Sequence, residues 1–117
     1  MAYVDVYVAA VPTAGRQTYL DHARKMDGLF KQAGALAVVE TWGSDVPDGK
    51  LTSFPMAVKC GADETVAVGW IKWEYKEARD AAWAALMKHP AMQPGASAMP
   101  FDGARMIFGG FDIILEI

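Results

Sequence analysis

The start of the chain alternates with a period of two, which is typical of a β-strand, and Pro12 ends the pattern. One face of this first strand, residues 3–11, carries aromatic and acidic side chains: Tyr3, Asp5 and Tyr7. The opposite face carries three valines: Val4, Val6 and Val8. We predict that the valines face the helices. The aromatic and acidic face is unsuited to a dry core, so we interpret it as the wall of a cavity.

Two segments repeat apolar residues at the spacing of an amphipathic helix. The first covers residues 14–33, with Thr13 as N-cap and Gly34 as C-terminal cap. The second covers residues 76–89 and has a stripe of small residues that permits close approach to a sheet. Pro90 and Pro94 are predicted to end it, before a loop over residues 94–105.

Three further main strands are predicted at residues 36–42, 66–73 and 106–117. The turn formers of residues 46–49 predict a hairpin whose returning arm covers residues 51–60. Pro55 limits that arm to an edge or a bulge. Gly109 and Gly110 favour a bulge that would exchange the two faces of the last strand.

This order of elements predicts one α+β domain over residues 1–117, with a ferredoxin-like split βαβ layout. It is a βαββαβ fold with an extra hairpin arm, in which two helices cover one face of a four-stranded antiparallel sheet. Large apolar groups occur on both faces of the strands, so the second face needs a cover as well. A second copy of the same sheet is the simplest cover, which predicts a homodimeric α+β barrel.

Composition and charge exclude several classes of partner. The net charge is -3 and the sequence pI is about 5.2, which disfavours nucleic acid as a partner. We find no run of about 18 apolar residues and no secretory signal, so we expect neither a membrane span nor export. Cys60 is the single cysteine and is interpreted as a structural thiol in a reducing, cytoplasmic setting.

Ionisable groups on the predicted cavity wall are candidates for proton transfer. The catalytic candidates are Asp5, Tyr7 and Lys72. Glu40 or Asp112 is an alternative base to Asp5, with Lys72 or Tyr7 as the acid. The competing interpretation is that these groups form salt bridges between subunits and solvated strand edges.

A second set of residues is predicted to bind a ligand, namely Trp42, Trp70, Phe101, Arg105 and Phe108. Phe101 and Arg105 would lie at the mouth of the cavity and hold an anion or an aromatic molecule. Alternatively, Asp102 caps a turn and Arg105 pairs with it.

The sequence contains no motif that predicts a bound metal or cofactor. His22 and His89 are too isolated for a metal centre and are predicted to be surface residues. The loop at residues 42–50 lacks the spacing of a calcium loop and is interpreted as a plain turn. Common nucleophile, nucleotide and redox signatures are absent from the sequence, and we expect no cofactor. The methionines Met87, Met92 and Met99 are interpreted as core or loop packing.

Three stretches of the sequence are similar to a known family. They are residues 3–5 (Tyr-Val-Asp), residues 42–55 with the run Trp-Gly-Ser-Asp-Val-Pro-Asp-Gly-Lys, and residues 99–107 with Met-Pro-Phe-Asp-Gly. The chain resembles the YbaA-like family of uncharacterised bacterial proteins. This resemblance implies a dimeric α+β barrel, in a superfamily that includes cofactor-free monooxygenases, lactone isomerases, haem-degrading enzymes and stress-responsive proteins. It constrains the fold more than the function.

Two classes of function are compatible with these observations. The first is a small-molecule-binding protein or a cofactor-independent enzyme, monooxygenase-like or isomerase-like, with its pocket between sheet and helices. The second is a non-catalytic dimeric interaction protein or a stress-related structural protein.

Overall fold

Four antiparallel strands form one sheet in the computed structural model, which describes residues 1–93, 95–96 and 98–117. The strands are β1 (Tyr3–Pro12), β2 (Ala37–Glu40), β3 (Glu64–Trp73) and β4 (Ile107–Asp112), in the order β2-β3-β1-β4. The α-helices are α1 (Arg16–Gln32), α2 (Phe54–Ala57) and α3 (Lys76–Leu86). Short 3-10 turns occur at Thr13–Gly15, Pro90–Met92 and Gly103–Arg105. The predicted ferredoxin-like α+β fold is confirmed.

Helix α1 begins later than its apolar pattern predicts. The 3-10 turn Thr13–Gly15 precedes it, and the Thr13 hydroxyl hydrogen-bonds the Thr65 hydroxyl at 2.7 Å instead of capping the helix. The predicted C-terminal cap is confirmed, because Gly34 has a φ of 115° and lets the Ala35 amide donate to the Phe30 carbonyl.

The predicted hairpin arm at residues 51–60 is wrong, since α2 lies there. The Ser53 side chain accepts a hydrogen bond from the Met56 amide at 3.0 Å and caps this helix, and Pro55 occupies its first turn, where no amide is needed. The chain that follows α2 brings Val58 against the sheet. Val58 is fully buried with Val8, Ala10 and Val66.

The last strand and the second helix are both shorter than predicted. Strand β4 pairs continuously with β1 from Tyr3 opposite Asp112 to Val8 opposite Ile107, so the predicted bulge at Gly109 and Gly110 does not interrupt this ladder. Helix α3 ends at Leu86, ahead of Pro90. The predicted helix-ending role of Pro94 lies outside the described residues.

The predicted facing of β1 is wrong, because the helices cover the face of Tyr3, Asp5 and Tyr7. The main core joins Tyr3 to Ile71 and Trp73 of β3, to Phe30 of α1 and to Leu86 of α3. The valine face points the other way. Val58 covers one end of it, whereas Trp70, Ile107 and Phe111 on the same face are 37%, 46% and 55% exposed.

Two glycines let the tyrosines of β1 lie flat against neighbouring strands. A Cβ atom at Gly69 would overlap the Tyr7 ring, and one at Gly110 would overlap the Tyr3 ring. Gly69 lies directly opposite Tyr7 in the ladder of β1 and β3. The absence of a side chain at Gly69 therefore leaves the space that the Tyr7 ring occupies, and this places the Tyr7 hydroxyl.

We expect Gly69→Ala to displace the Tyr7 ring and to lower the free energy of unfolding by about 1–3 kcal/mol through overpacking. Gly28→Ala is the matched control, because a Cβ at this exposed position of α1 meets nothing within 4 Å. The control should be neutral or stabilise by up to about 1 kcal/mol. Urea unfolding of both variants measures the difference, and equal stabilities would contradict the proposed contact.

Candidate functional site

A cavity of about 550 Å³ lies between the sheet and the helices α1 and α3. Its lining is largely apolar and rich in polarisable side chains, which adapt to irregular ligands. The methionines among them are Met26, Met87, Met92, Met99 and Met106. The aromatic rings include Phe30, Trp83, Phe101 and Phe108. The site can therefore hold a mostly apolar molecule of moderate size.

The polar end of this cavity is built around the Glu40 carboxylate. Strand β2 ends at Glu40, and its carboxylate accepts hydrogen bonds from the Tyr7 hydroxyl and, at 2.7 Å, from the Tyr19 hydroxyl. Tyr19, Ala23 and Asp27 follow each other at helical spacing along one face of α1 and line the cavity. Three elements thus bring four polar groups together.

Asp27 adds a second carboxyl group to the cavity lining beside Glu40. Burial, the hydrogen bond to Glu40 and the charge of Glu40 raise the pKa of Asp27 from 3.8 to about 8. Asp27 is therefore the protonated member of this acid pair at neutral pH.

The two tyrosines stay protonated for related reasons. Burial first, and then the hydrogen bond to Glu40, raise the pKa of both Tyr7 and Tyr19 well above the usual value of 10.0. Each hydroxyl therefore acts as a hydrogen-bond donor to Glu40 over the physiological pH range.

Asp5 also borders the cavity, but its carboxylate is held by other residues. The indole nitrogens of Trp73 and Trp83 donate to Oδ2 at 2.9 and 3.0 Å, and Arg79 donates to Oδ1 through Nη2 at 2.7 Å and Nε at 3.0 Å. The residue is only 4% exposed. This carboxylate is saturated with donors, so it anchors α3 to the sheet and is poorly placed to accept a further proton.

The sequence-predicted candidates divide between the cavity and other surfaces. Asp5, Tyr7, Phe101 and Phe108 line the cavity. Lys72 and Trp70 lie on the opposite face of the sheet, where Lys72 forms an ion pair with Glu116 near the end of the chain. The structure does not bring these last two to the acid pair.

Trp42 and Arg105 are not among the described residues that line the cavity. The Trp42 ring lies 6.0 Å from the Tyr19 ring, and the Arg16 guanidinium lies 5.8 Å from the Trp42 ring. Arg105 donates to Glu64 at 2.8 Å and to Asp102 at 3.0 Å. The hydrogen bond from Arg105, followed by that from the Gly61 amide, lowers the pKa of Glu64 to about 2. Pairing of Arg105 with Asp102, one of the two alternatives from sequence, is the arrangement observed.

Asp27, Tyr19 and His22 are functional candidates that sequence reasoning missed. His22 was expected at the surface, but it borders the cavity, and burial followed by the charge of Lys25 lowers its pKa. The interpretation of Met87, Met92 and Met99 as simple packing also falls short, because all three line the cavity. The spacing of four residues between Tyr19, Ala23 and Asp27, which places them on one face of a helix, is the sequence feature that could have indicated these candidates.

Within residues 1–93, 95–96 and 98–117, no group of three or more His, Cys, Asp or Glu side chains could hold a metal ion. None of the helices in these ranges is long and apolar enough to cross a membrane.

Comparison with known proteins identifies relatives over the whole chain. A family model described as protein of unknown function (DUF1428) matches residues 2–103. The uncharacterized protein YbaA of Escherichia coli K12 is 50% identical over 116 residues, covering 99% of both chains, and YbaA of Shigella flexneri matches equally well. The resemblance to YbaA-like proteins is confirmed.

Two solved structures share the fold at low sequence identity. A dimeric ferredoxin-like protein from an uncultured marine organism aligns with a TM-score of 0.64 at 10% identity, covering 99% of this chain and 98% of its own. A monooxygenase from the gene ActVA-Orf6 of Streptomyces coelicolor, in complex with the ligand Nanaomycin D, aligns with a TM-score of 0.62 at 15% identity. That alignment covers 99% of this chain and 90% of the monooxygenase.

The protonated Asp27 should make stability depend on pH. The native state keeps this proton up to about pH 8, whereas the unfolded chain releases it near the ordinary value of 3.8. The unfolded state binds fewer protons between these values, so the free energy of unfolding falls as the pH rises through this window. Asp27→Asn removes the titrating group. Between pH 5 and pH 8, we expect the free energy of unfolding of the variant to fall by about 1 kcal/mol or more less than that of the unchanged protein.

Urea unfolding at these two pH values measures the effect. Asp21→Asn, on the exposed side of the same helix, is the control and should keep the pH dependence of the unchanged protein. An identical pH dependence in the Asp27 variant would refute the assignment of the proton to this pair.

Proposed function

The chain belongs to the DUF1428 family of proteins of unknown function, and we propose that it binds a largely apolar small molecule in the cavity between sheet and helices. One observation carries this proposal. Two carboxyl groups, Asp27 and Glu40, lie at the end of a cavity whose other walls are mainly methionine and aromatic side chains. Apolar pockets with a few convergent polar groups are the usual form of small-molecule sites.

The acid pair also supports a cofactor-independent proton transfer. With a pKa of about 8, Asp27 can lose and regain its proton near neutral pH, as a general acid or base must. Ionised Asp27 can take a proton from one atom of a bound molecule and return it to another, which is an isomerase-like reaction. Such a step needs no metal, cofactor or oxidant.

A second copy of the chain is proposed as the cover of the open sheet face, which we define by Val4, Val6, Trp70, Ile107 and Phe111. These side chains lie on the face of the sheet opposite the helices, and three of them are more than one third exposed. Apolar surface of this kind is typical of an interface. The dimeric state of a structural relative supports the same arrangement. If the cavity binds nothing, a purely structural dimer becomes the better description.

Binding in the cavity is tested with Nile red, a neutral apolar dye. Ala23 is buried and lines the cavity, so Ala23→Phe should fill the space and lower dye affinity by about tenfold or more. Ala84→Phe on the exposed side of α3 is the matched control and should bind like the unchanged protein. Circular dichroism verifies that both variants fold, and equal loss in both would contradict binding in this cavity.

Dimerisation through the open sheet face predicts that Trp70→Glu produces monomers, since an unpaired charge buried in an interface costs several kcal/mol. Light scattering during size-exclusion chromatography should show half the mass of the unchanged protein. Leu51→Glu is the control, because Leu51 is 98% exposed in the loop before α2 and is not one of the residues that define this face, and it should stay dimeric. A Trp70 variant that keeps the dimer mass would count against this interface.

A further inference from the structure

The hydrogen atoms at the polar end of the cavity limit what can bind there. The Tyr7 and Tyr19 hydroxyls donate to Glu40, and the proton of Asp27 lies in the hydrogen bond between the two carboxyl groups. The groups of this cluster that can meet a ligand are therefore oxygen lone pairs, which accept hydrogen bonds. A ligand gains hydrogen bonds here by donating them.

The charges around the cavity point in the same direction. The ionisable groups of the described lining come from β1, α1, β2 and α3, and they are Asp5, Tyr7, Tyr19, His22, Asp27, Glu40 and Arg79. Asp5 and Arg79 compensate each other in an ion pair of 2.7 Å. The tyrosines and Asp27 are protonated and neutral, and His22 is neutral because burial and Lys25 lower its pKa. Glu40 thus leaves this lining with one uncompensated negative charge.

Resting on the proposed binding function, we infer that the cavity is selective for an apolar amine, bound as its ammonium ion against Glu40 and Asp27. The ammonium supplies the hydrogen bonds that the cluster can accept, and its charge compensates Glu40. Its carbon skeleton lies among methionine and aromatic side chains, whose ring faces also attract cations.

Binding of the ammonium ion changes the protonation state of the pair Asp27 and Glu40. A positive charge beside two carboxyl groups favours the ionised form of both. Asp27 therefore releases its proton to solvent as the ammonium binds, and no covalent bond to carbon forms or breaks. Two carboxylates then face one ammonium, and Asp27 becomes the base that the proposed proton transfer requires.

Other head groups fit this polar end less well. A carboxylate would add a second uncompensated negative charge to a buried site, which is strongly unfavourable. A neutral alcohol can donate one hydrogen bond, but it leaves the charge of Glu40 uncompensated and Asp27 protonated. The chemistry of the lining therefore ranks amine above alcohol and alcohol above carboxylate.

Three naphthalene probes of similar size test this ranking: naphthylethylamine, naphthylethanol and naphthylacetate. At pH 7 we expect calorimetry to show that the amine binds about tenfold more tightly than the alcohol and that the acetate binds most weakly. Titrations in buffers of different ionisation heat should reveal the release of about one proton for each amine bound. Asp27→Asn should abolish the proton release and keep the preference for the amine, because Glu40 retains its charge. Glu40→Gln removes that charge and should bring the amine close to the alcohol in affinity.

Two controls make the outcome decisive. Asp21→Asn, on the exposed side of α1, should retain both the preference for the amine and the proton release. Alcohol affinity should be unchanged in the Asp27 variant, which shows that the cavity itself is intact. Binding of the alcohol as tightly as the amine would overturn the inference and leave the binding function standing. Binding of none of the probes or of Nile red would overturn both.

Discussion

A carboxylate removed from water must be met by hydrogen-bond donors, and Asp5 is met by side chains of β3 and α3. Trp73, Trp83 and Arg79 are distant in sequence, and each contributes a donor to the same two oxygen atoms. This contact decides which face of β1 turns toward the helices. Since side chains alternate along a strand, Tyr3 and Tyr7 must follow Asp5 to that face, and the valines must face away.

Two carboxyl groups between the sheet and the helices, the buried Asp5 and the half-buried Asp27, acquire opposite properties from their neighbours. Asp5 faces Arg79 and two indole nitrogens, so its charge is stabilised and its role is to hold elements together. Asp27 faces Glu40, another acid, so it is held in its protonated form. The difference explains why Asp5, which the sequence favours as a base, has a structural role. Asp27, which lies on α1, is the carboxyl group that can exchange a proton near neutral pH.

Sequence periodicity is a good guide to elements and a poor guide to their partners. It predicts β1, both long helices, the cap at Gly34 and the ferredoxin-like layout, because each of these depends on residues close together in the chain. It fails for the facing of β1, since the donors to Asp5 lie between 68 and 78 residues away. It also fails at residues 51–60, where the local cap by Ser53 outweighs an apolar pattern that resembles a strand.

The alternation of β1 separates two properties of the protein along a single strand. Tyr7 donates to Glu40 of the acid pair, whereas Val6 beside it lies on the open sheet face. On β3, Ile71 lines the cavity and Trp70 lies on the open sheet face. A substitution on one face leaves side chains of the other face in place, provided that the ladder keeps its register. Gly69 belongs to the cavity face, because it lies opposite Tyr7 and a Cβ there would overlap the Tyr7 ring. The proposed interface and the proposed ligand site can therefore be substituted separately, provided that position 69 leaves room for the Tyr7 ring.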